Sequence, residues 1–153
     1  MITKDLKPIM IRPLREEEKE SALRLIWKVF NEYEAPDYEA EGTAEFKKTL
    51  NDDEYLAGIR YYGAFDQDTL AGVLGIREQK AHICFFFVDG AYHRKGIGTG
   101  LFAKICEDHT NRTITLNSSP YGLPFYKALG FIPTGHEQTV NGIRFTPMEF
   151  TLK

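Results

Sequence analysis

Apolar residues recur at helical spacing in the first third of the chain and at strand spacing through its middle. Ala22, Ile26, Val29 and Tyr33, joined by Leu23 and Phe30, define one apolar face of a helix that docks on a sheet. Glu16, Glu17 and Glu18 suit the first turn of that helix, and Pro36 marks its end. Upstream, residues 9–14 read as a first strand. A second, shorter helix is expected over residues 41–50, closed by a loop at Asn51, Asp52 and Asp53. Residues 61–65 and 70–77 then flank a turn at Asp66, Gln67 and Asp68 and read as a hairpin. Residues 81–88 form a nearly unbroken apolar run, the pattern of a central strand buried on both faces. Ile97, Leu101 and Ile105 mark another helix, 113–116 a strand, and 123–129 a short helix with Gly130 as its left-handed stop. Residues 131–133 and 143–152 complete the sheet, turning at Asn141-Gly142, a strong hairpin signal.

That order of elements specifies a three-layer α/β domain with a central mixed β-sheet flanked by helices. At 153 residues, 42% hydrophobic and 27% charged, the chain suffices for one domain, residues 1–153, with a proper core. A net charge of -3 gives no basic footprint, so nucleic acid is not an expected partner. Nothing approaches the roughly 18 consecutive apolar residues of a membrane span, and the N-terminus lacks a secretory pattern. A cytoplasmic protein with no membrane partner is expected. Cys84 and Cys106 stand apart without metal-ligand spacing, so both read as reduced core residues and no metal site is expected.

Candidate chemistry concentrates where the apolar run ends. After Val88 the chain passes through Asp89, Gly90, Ala91 and Tyr92 into His93-Arg94-Lys95-Gly96-Ile97-Gly98-Thr99-Gly100 and then into the helix. A glycine-rich turn at a helix N-terminus leaves backbone N–H groups free to hold a phosphate or pyrophosphate. Gly96 and Gly98 let the backbone approach an anion, and Arg94 and Lys95 add positive charge. The dinucleotide fingerprint fails because Leu101 stands where its third glycine belongs. A P-loop fails because no Gly-Lys-Ser/Thr follows, which disfavours a nucleotide-phosphate enzyme.

The strand and loop, from Ile83 to Gly98, resemble the acetyl-coenzyme A loop of the GCN5-related N-acetyltransferases (GNAT), which carries Gln or Arg, two variable residues, Gly, one variable residue, then Gly or Ala. Downstream, the run from Asn117 to Phe131, with Phe125-Tyr126-Lys127-Ala128-Leu129-Gly130-Phe131, is similar to the family's late strand, loop and helix. The match is strong from about Ala81 to Phe131 and compatible elsewhere. His93 departs from the pattern, standing at the usual Gln/Arg position, so a side-chain contact to the pyrophosphate is expected to be weaker or pH-dependent.

The resemblance implies an N-acetyltransferase that moves an acetyl group from acetyl-CoA, as cosubstrate, to an amine by direct attack. It implies that residues 93–99 hold the pyrophosphate, including His93, Arg94, Lys95, Gly96, Ile97, Gly98 and Thr99, and that backbone groups of Phe86 and Val88 pair with the pantetheine arm. Tyr126 occupies the place of a tyrosine beside the cofactor sulfur, where a phenol can protonate the leaving thiolate; its other reading is packing with Phe125 and Leu129. Asn117 and Ser119 are hydrogen bonders of either the cofactor or their own loop. For the general base, His82, Glu78, Glu34 and His136 can all titrate, and no spacing singles one out. Between Lys28 and Lys47 the chain carries Glu32, Glu34, Asp37, Glu39, Glu41 and Glu45 and no cationic residue. That run reads either as a negative rim attracting a cationic acceptor or as a solvated surface. Tyr33, Tyr38, Phe85 and Phe87 read either as an apolar part of the same pocket or as core residues. A non-catalytic acyl-CoA-binding domain is the competing reading, and a homodimer through the C-terminal strands stays open.

Overall fold

The structure is a computed structural model that describes residues 8–110 and 112–152. Its eight strands are β1 (Met10–Pro13), β2 (Ile59–Asp66), β3 (Thr69–Arg77), β4 (His82–Val88), β5 (Thr113–Ser118), β6 (Ile132–Pro133), β7 (Gln138–Val140) and β8 (Ile143–Thr151). They form one mixed sheet in the order β1-β2-β3-β4-β5-β8-β6, with β7 paired to β8. Every pairing is antiparallel except β4 with β5, which are parallel.

Helices cover both faces. On one side lie α1 (Lys19–Val29), α2 (Ala40–Leu50) and the short α3 (Asp53–Leu56), over a core of Ile26, Phe30, Leu56, Tyr61, Val73 and Phe85. On the other lie α4 (Ile97–Asp108) and α5 (Leu123–Leu129), over Tyr62, Leu74, Leu101, Ile105, Ile114 and Phe131. The three layers expected from the element order are present.

Local differences from the sequence reading have physical causes. Asp53 was expected in a loop but opens α3, because the Asp52 carboxylate accepts the Tyr55 N–H at 3.0 Å and caps the turn. The first helix does not run regularly to Pro36: it ends at Val29, widens into a π-turn over Phe30–Glu34 and tightens into a 3-10 turn over Ala35–Asp37. Pro36 has no N–H to donate, so the helical ladder cannot continue through it. The hairpin at Asn141-Gly142 forms as expected, with both residues at positive φ (52° and 81°) and β7 as its first arm.

β4 decides where the site lies. It was expected to be buried on both faces, yet only Ile83, Phe85 and Phe87 are, while His82, Cys84, Phe86 and Val88 are half-buried. The cause is its neighbour: β4 and β5 pair only at His82–Thr115 and Ile83–Leu116 and then part. The register against β3 slips at the same level, Gly75 facing Phe85 and Ile76 facing Ile83, so that Cys84 is an extra, bulged residue. The bulge turns Cys84 to the side of Phe85 and Phe87, leaving Ile83, Phe86 and Val88 on the α4 side.

Candidate active site

Beyond Ile83 the gap between β4 and β5 exposes one edge of β4. The Asp89 N–H donates to the Ala71 carbonyl at 2.8 Å, which fixes the alternation of the antiparallel ladder. Asp89, Phe87 and Phe85 therefore bond to β3, and the N–H and C=O groups of Phe86 and Val88 point the other way, into the gap.

The chain then makes a tight turn at Gly90–Tyr92 and enters α4. One Asp89 carboxylate oxygen accepts the Ala91 N–H at 3.0 Å and the other lies 2.9 Å from Lys28 Nζ, which together hold this carboxyl below the usual carboxylate range. The Tyr92 hydroxyl donates to Asp66 Oδ2 at 2.8 Å, so both flanks of the loop are tied to neighbouring elements. Gly100 is the first residue to close a helical bond, to the Gly96 carbonyl at 2.9 Å. The N–H groups of Gly96, Ile97, Gly98 and Thr99 consequently lack helical acceptors. Gly96 sits at φ +79° with open space where a Cβ would be, whereas a Cβ on Gly98 would lie 2.8 Å from the Phe125 ring.

These groups line a cleft of about 520 Å³ that also includes Phe86, Val88, Tyr121 and Phe125. Arg94, at φ +63°, lines it as well, while the Lys95 ammonium lies over the Tyr92 ring, 5.5 Å from its centroid. His93 lines the cleft, but its Nε2 is 2.7 Å from the Val88 carbonyl oxygen, and its ring packs against Tyr33 with centroids 4.7 Å apart. Because a carbonyl only accepts, Nε2 carries the proton, and this nitrogen is occupied within the loop instead of facing an anion.

A second cavity of about 310 Å³ lies between β4, β5, α2 and the β7–β8 hairpin. Asn117 lines this second cavity and not the loop cleft. Ser119 does too, with its Oγ accepting the Gly122 N–H at 3.0 Å. Of the acidic run, Glu34 and Glu45 line it, whereas Glu32, Asp37, Glu39 and Glu41 are exposed outside it. Tyr38, Phe85 and Phe87 form its walls, while Tyr33 belongs to the loop cleft.

The two cavities share four lining residues, Glu34, Phe86, Phe87 and Tyr126. The Glu34 carboxyl is raised to about 7 by desolvation; the Ser119 hydroxyl opposes the rise and Asp37 adds to it. Tyr126 is pushed well above the ordinary phenol value by burial and by the neighbouring Glu34 carboxylate, so it stays protonated throughout the neutral range. Of the four titratable residues that spacing left equal, Glu34 alone lines both cavities. Glu78 is paired with Arg60 at 2.9 Å on a different face, and His136 lies in neither cavity. His82 lines the second cavity with Nδ1 2.8 Å from Thr115 Oγ1, and burial lowers its pKa. The sequence did carry a signal for Glu34: Ala22, Ile26, Phe30 and Glu34 stand four apart, so a carboxylate falls on the apolar stripe of the first helix.

The roof of the second cavity is the β7–β8 hairpin, strapped to the segment after the first helix. The Tyr38 hydroxyl donates to the Arg144 carbonyl at 3.2 Å, and Arg144 Nη1 donates to the Asp37 carbonyl at 3.0 Å. Gly42 lies so close to the Gly142 carbonyl that a Cβ there would overlap it. Gly42→Ala is therefore expected to destabilise the protein by about 1–3 kcal/mol, since backbone cannot swing aside as a side chain does. Urea unfolding would show this as a lower midpoint with an unchanged slope.

A third and larger groove, about 710 Å³, is lined by residues such as Leu14, Lys19, Arg60 and Arg77 at the far end of β2. Its groups serve structure: Arg60 pairs with Glu78, and Arg77 donates to the carbonyls of Tyr55 and Ala57. Among the described residues, no cluster of three or more His, Cys, Asp or Glu is placed to hold a metal ion. No helix among them is long and apolar enough to cross a membrane.

Residues 34–152 match the family profile described as the acetyltransferase (GNAT) domain. No curated protein matches the sequence significantly. Among solved structures, a GCN5-related N-acetyltransferase from Rhodopseudomonas palustris is 18% identical with a TM-score of 0.80, covering 98% of this chain and 99% of its own. The PaiA N-acetyltransferase from Thermoplasma acidophilum, determined in complex with coenzyme A, is 21% identical with a TM-score of 0.72 and coverages of 95% and 99%. Apo YjaB from Escherichia coli is 19% identical with a TM-score of 0.75 and coverages of 96% and 100%. At these identities the likeness to the solved structures is one of fold.

Proposed function

Because the chain belongs to the GNAT acetyltransferase family, we propose that it is a cytoplasmic enzyme, one acyltransferase domain throughout, that transfers the acetyl group of acetyl-CoA to an amine. The observation that carries this reading is the meeting of two cavities at Glu34 and Tyr126, a carboxyl raised to about 7 beside a phenol raised further. General acid–base catalysis needs such a pair, with one group able to take a proton near neutrality and the other able to give one.

The residues present fit the cosubstrate. The N–H groups of Gly96, Ile97, Gly98 and Thr99, with the Arg94 guanidinium, suit a pyrophosphate, and the open space at Gly96 is room that a Cβ would fill. Backbone groups of Phe86 and Val88 suit the amides of the pantetheine arm as an added strand would, with the Val88 carbonyl already engaged by His93. Acetyl-CoA, when bound, supplies the activated acyl carbon and a thiol leaving group.

Glu34 accepts one proton from the acceptor ammonium, freeing its nitrogen lone pair. As that nitrogen forms its bond to the acyl carbon, an N–H of Phe86 or Val88 stabilises the charge growing on the carbonyl oxygen. The carbon–sulfur bond breaks, the second nitrogen proton leaves to water, and Tyr126 gives its proton to the departing thiolate. Glu34 then releases its proton to solvent and Tyr126 regains one, so a turnover from ammonium to amide liberates a single proton.

Calorimetric titration with acetyl-CoA followed by amine-dependent thiol release tests the proposal; absence of binding would remove it. Gly96→Ala adds a related expectation. Alanine at φ +79° is strained by about 1–2 kcal/mol and its methyl enters the anion seat. The dissociation constant for acetyl-CoA should rise about tenfold, which corresponds to roughly 1.4 kcal/mol.

A further inference from the structure

Resting on the transfer function above, we propose that the acceptor is a compact primary amine whose body is aromatic. The argument begins with the walls of the second cavity, where Tyr38, Phe46, Tyr55, Phe85, Phe87 and Phe145 present aromatic surface. Such walls favour an apolar body, while Thr49, Asn117, Ser119 and Asn141 supply the polar groups of the lining.

Glu34, at the inner end, answers the reacting amine. Beyond it, the lining also carries Glu45, Arg144, whose guanidinium is held by the Glu137 carboxylate at 3.2 Å, and His82, whose burial disfavours the imidazolium. The rest of the acidic run, Glu32, Asp37, Glu39 and Glu41, lies outside.

Size and closure exclude longer acceptors. A cavity of about 310 Å³ is at the small end of ligand sites, and the β7–β8 hairpin roofs it through Tyr38, Asp37 and the Gly42–Gly142 contact.

The test compares kcat/KM for thiol release at saturating acetyl-CoA with 2-phenylethylamine, spermidine, kanamycin and a lysine-containing tetrapeptide. We expect 2-phenylethylamine to exceed each of the others by about tenfold or more. Preference for spermidine, kanamycin or the peptide, or values within about threefold of one another, overturns the proposal. Phe145→Ser should raise the KM for 2-phenylethylamine about tenfold and leave the KM for acetyl-CoA unchanged, the latter showing that the variant is folded. An unchanged amine KM in a variant that keeps its acetyl-CoA KM counts against the proposal. Titration of 2-phenylethylamine into protein saturated with coenzyme A separates this inference from the function it rests on. Binding without transfer to any amine removes the transfer reading and leaves the second cavity as an aromatic-amine site with no acceptor role; efficient transfer to spermidine with no 2-phenylethylamine binding removes the inference and keeps the transfer reading.

Discussion

Replacing Tyr126 by Phe should lower kcat by about 10²- to 10³-fold while leaving the dissociation constant for acetyl-CoA within about threefold of wild type. The substitution removes one hydroxyl and keeps the ring, which packs against Phe86 at 5.8 Å and Phe131 at 5.8 Å, so the walls of both cavities survive. The loss falls on kcat because the phenolic proton is needed only as the thiolate forms. Burial and Glu34 hold this phenol above its ordinary range, so wild-type activity should show no alkaline fall up to about pH 9. A variant that turns over as fast as wild type would leave Tyr126 with packing alone. If neither protein released thiol with any amine while both bound acetyl-CoA, a binding domain without turnover would be the better description.

Glu34→Gln should cost about 10²-fold in kcat/KM at pH 7 and change the shape of the pH profile. In the wild type, kcat/KM should climb through an apparent pKa of about 7 as the carboxylate appears. In the variant that limb should vanish, leaving a rise governed by the acceptor's own ionisation, near 10.4 for an alkylamine. Stability should move the opposite way. The folded-state pKa of Glu34 lies above its ordinary value of 4.5, so folding binds this proton more tightly than the unfolded chain does. Its ionisation therefore weakens the fold progressively as pH rises from 4.5 through 7, and the penalty is complete above 7. Glutamine carries no such penalty, so the variant should melt at a higher temperature than wild type at pH 8.5, with the difference shrinking at pH 5. Lower activity combined with higher stability is an outcome that damage to the fold cannot imitate.

What the chain discloses without coordinates depends on whether a residue's role is local. The run from Ile83 to Thr99 is legible because an apolar strand, two glycines and an amphipathic helix are properties of neighbours in sequence. Asn141-Gly142 is legible for the same reason, as positive φ at two adjacent positions is a local demand. The outward turn of the Phe86 and Val88 backbone depends on how far β5 accompanies β4, and no single segment contains that. Glu34 was visible as a carboxylate on an apolar stripe, but its elevated pKa arises from burial at the π-turn between two cavities, a rise opposed by Ser119 on a loop more than eighty residues away. His93 shows the converse. Its place in the loop motif was evident, whereas its ring partner, the Val88 carbonyl, follows from a turn geometry that residue type does not reveal. The acidic run reads as uniform in sequence, and only α2 and the hairpin sort Glu34 and Glu45 from the solvated remainder.

The junction of the two cavities also bears on the order of events in a turnover. Two spaces that share only Glu34, Phe86, Phe87 and Tyr126 would, in the proposed transfer, seat donor and acceptor separately over a common floor. Both can be resident at once, so initial-rate plots should intersect and not run parallel, and coenzyme A should compete with acetyl-CoA but not with the amine. A molecule that joins an amine mimic to the sulfur of coenzyme A would span both spaces together. Its second half would then bind at the millimolar effective concentration that a short tether provides, making it a far tighter inhibitor than either part alone.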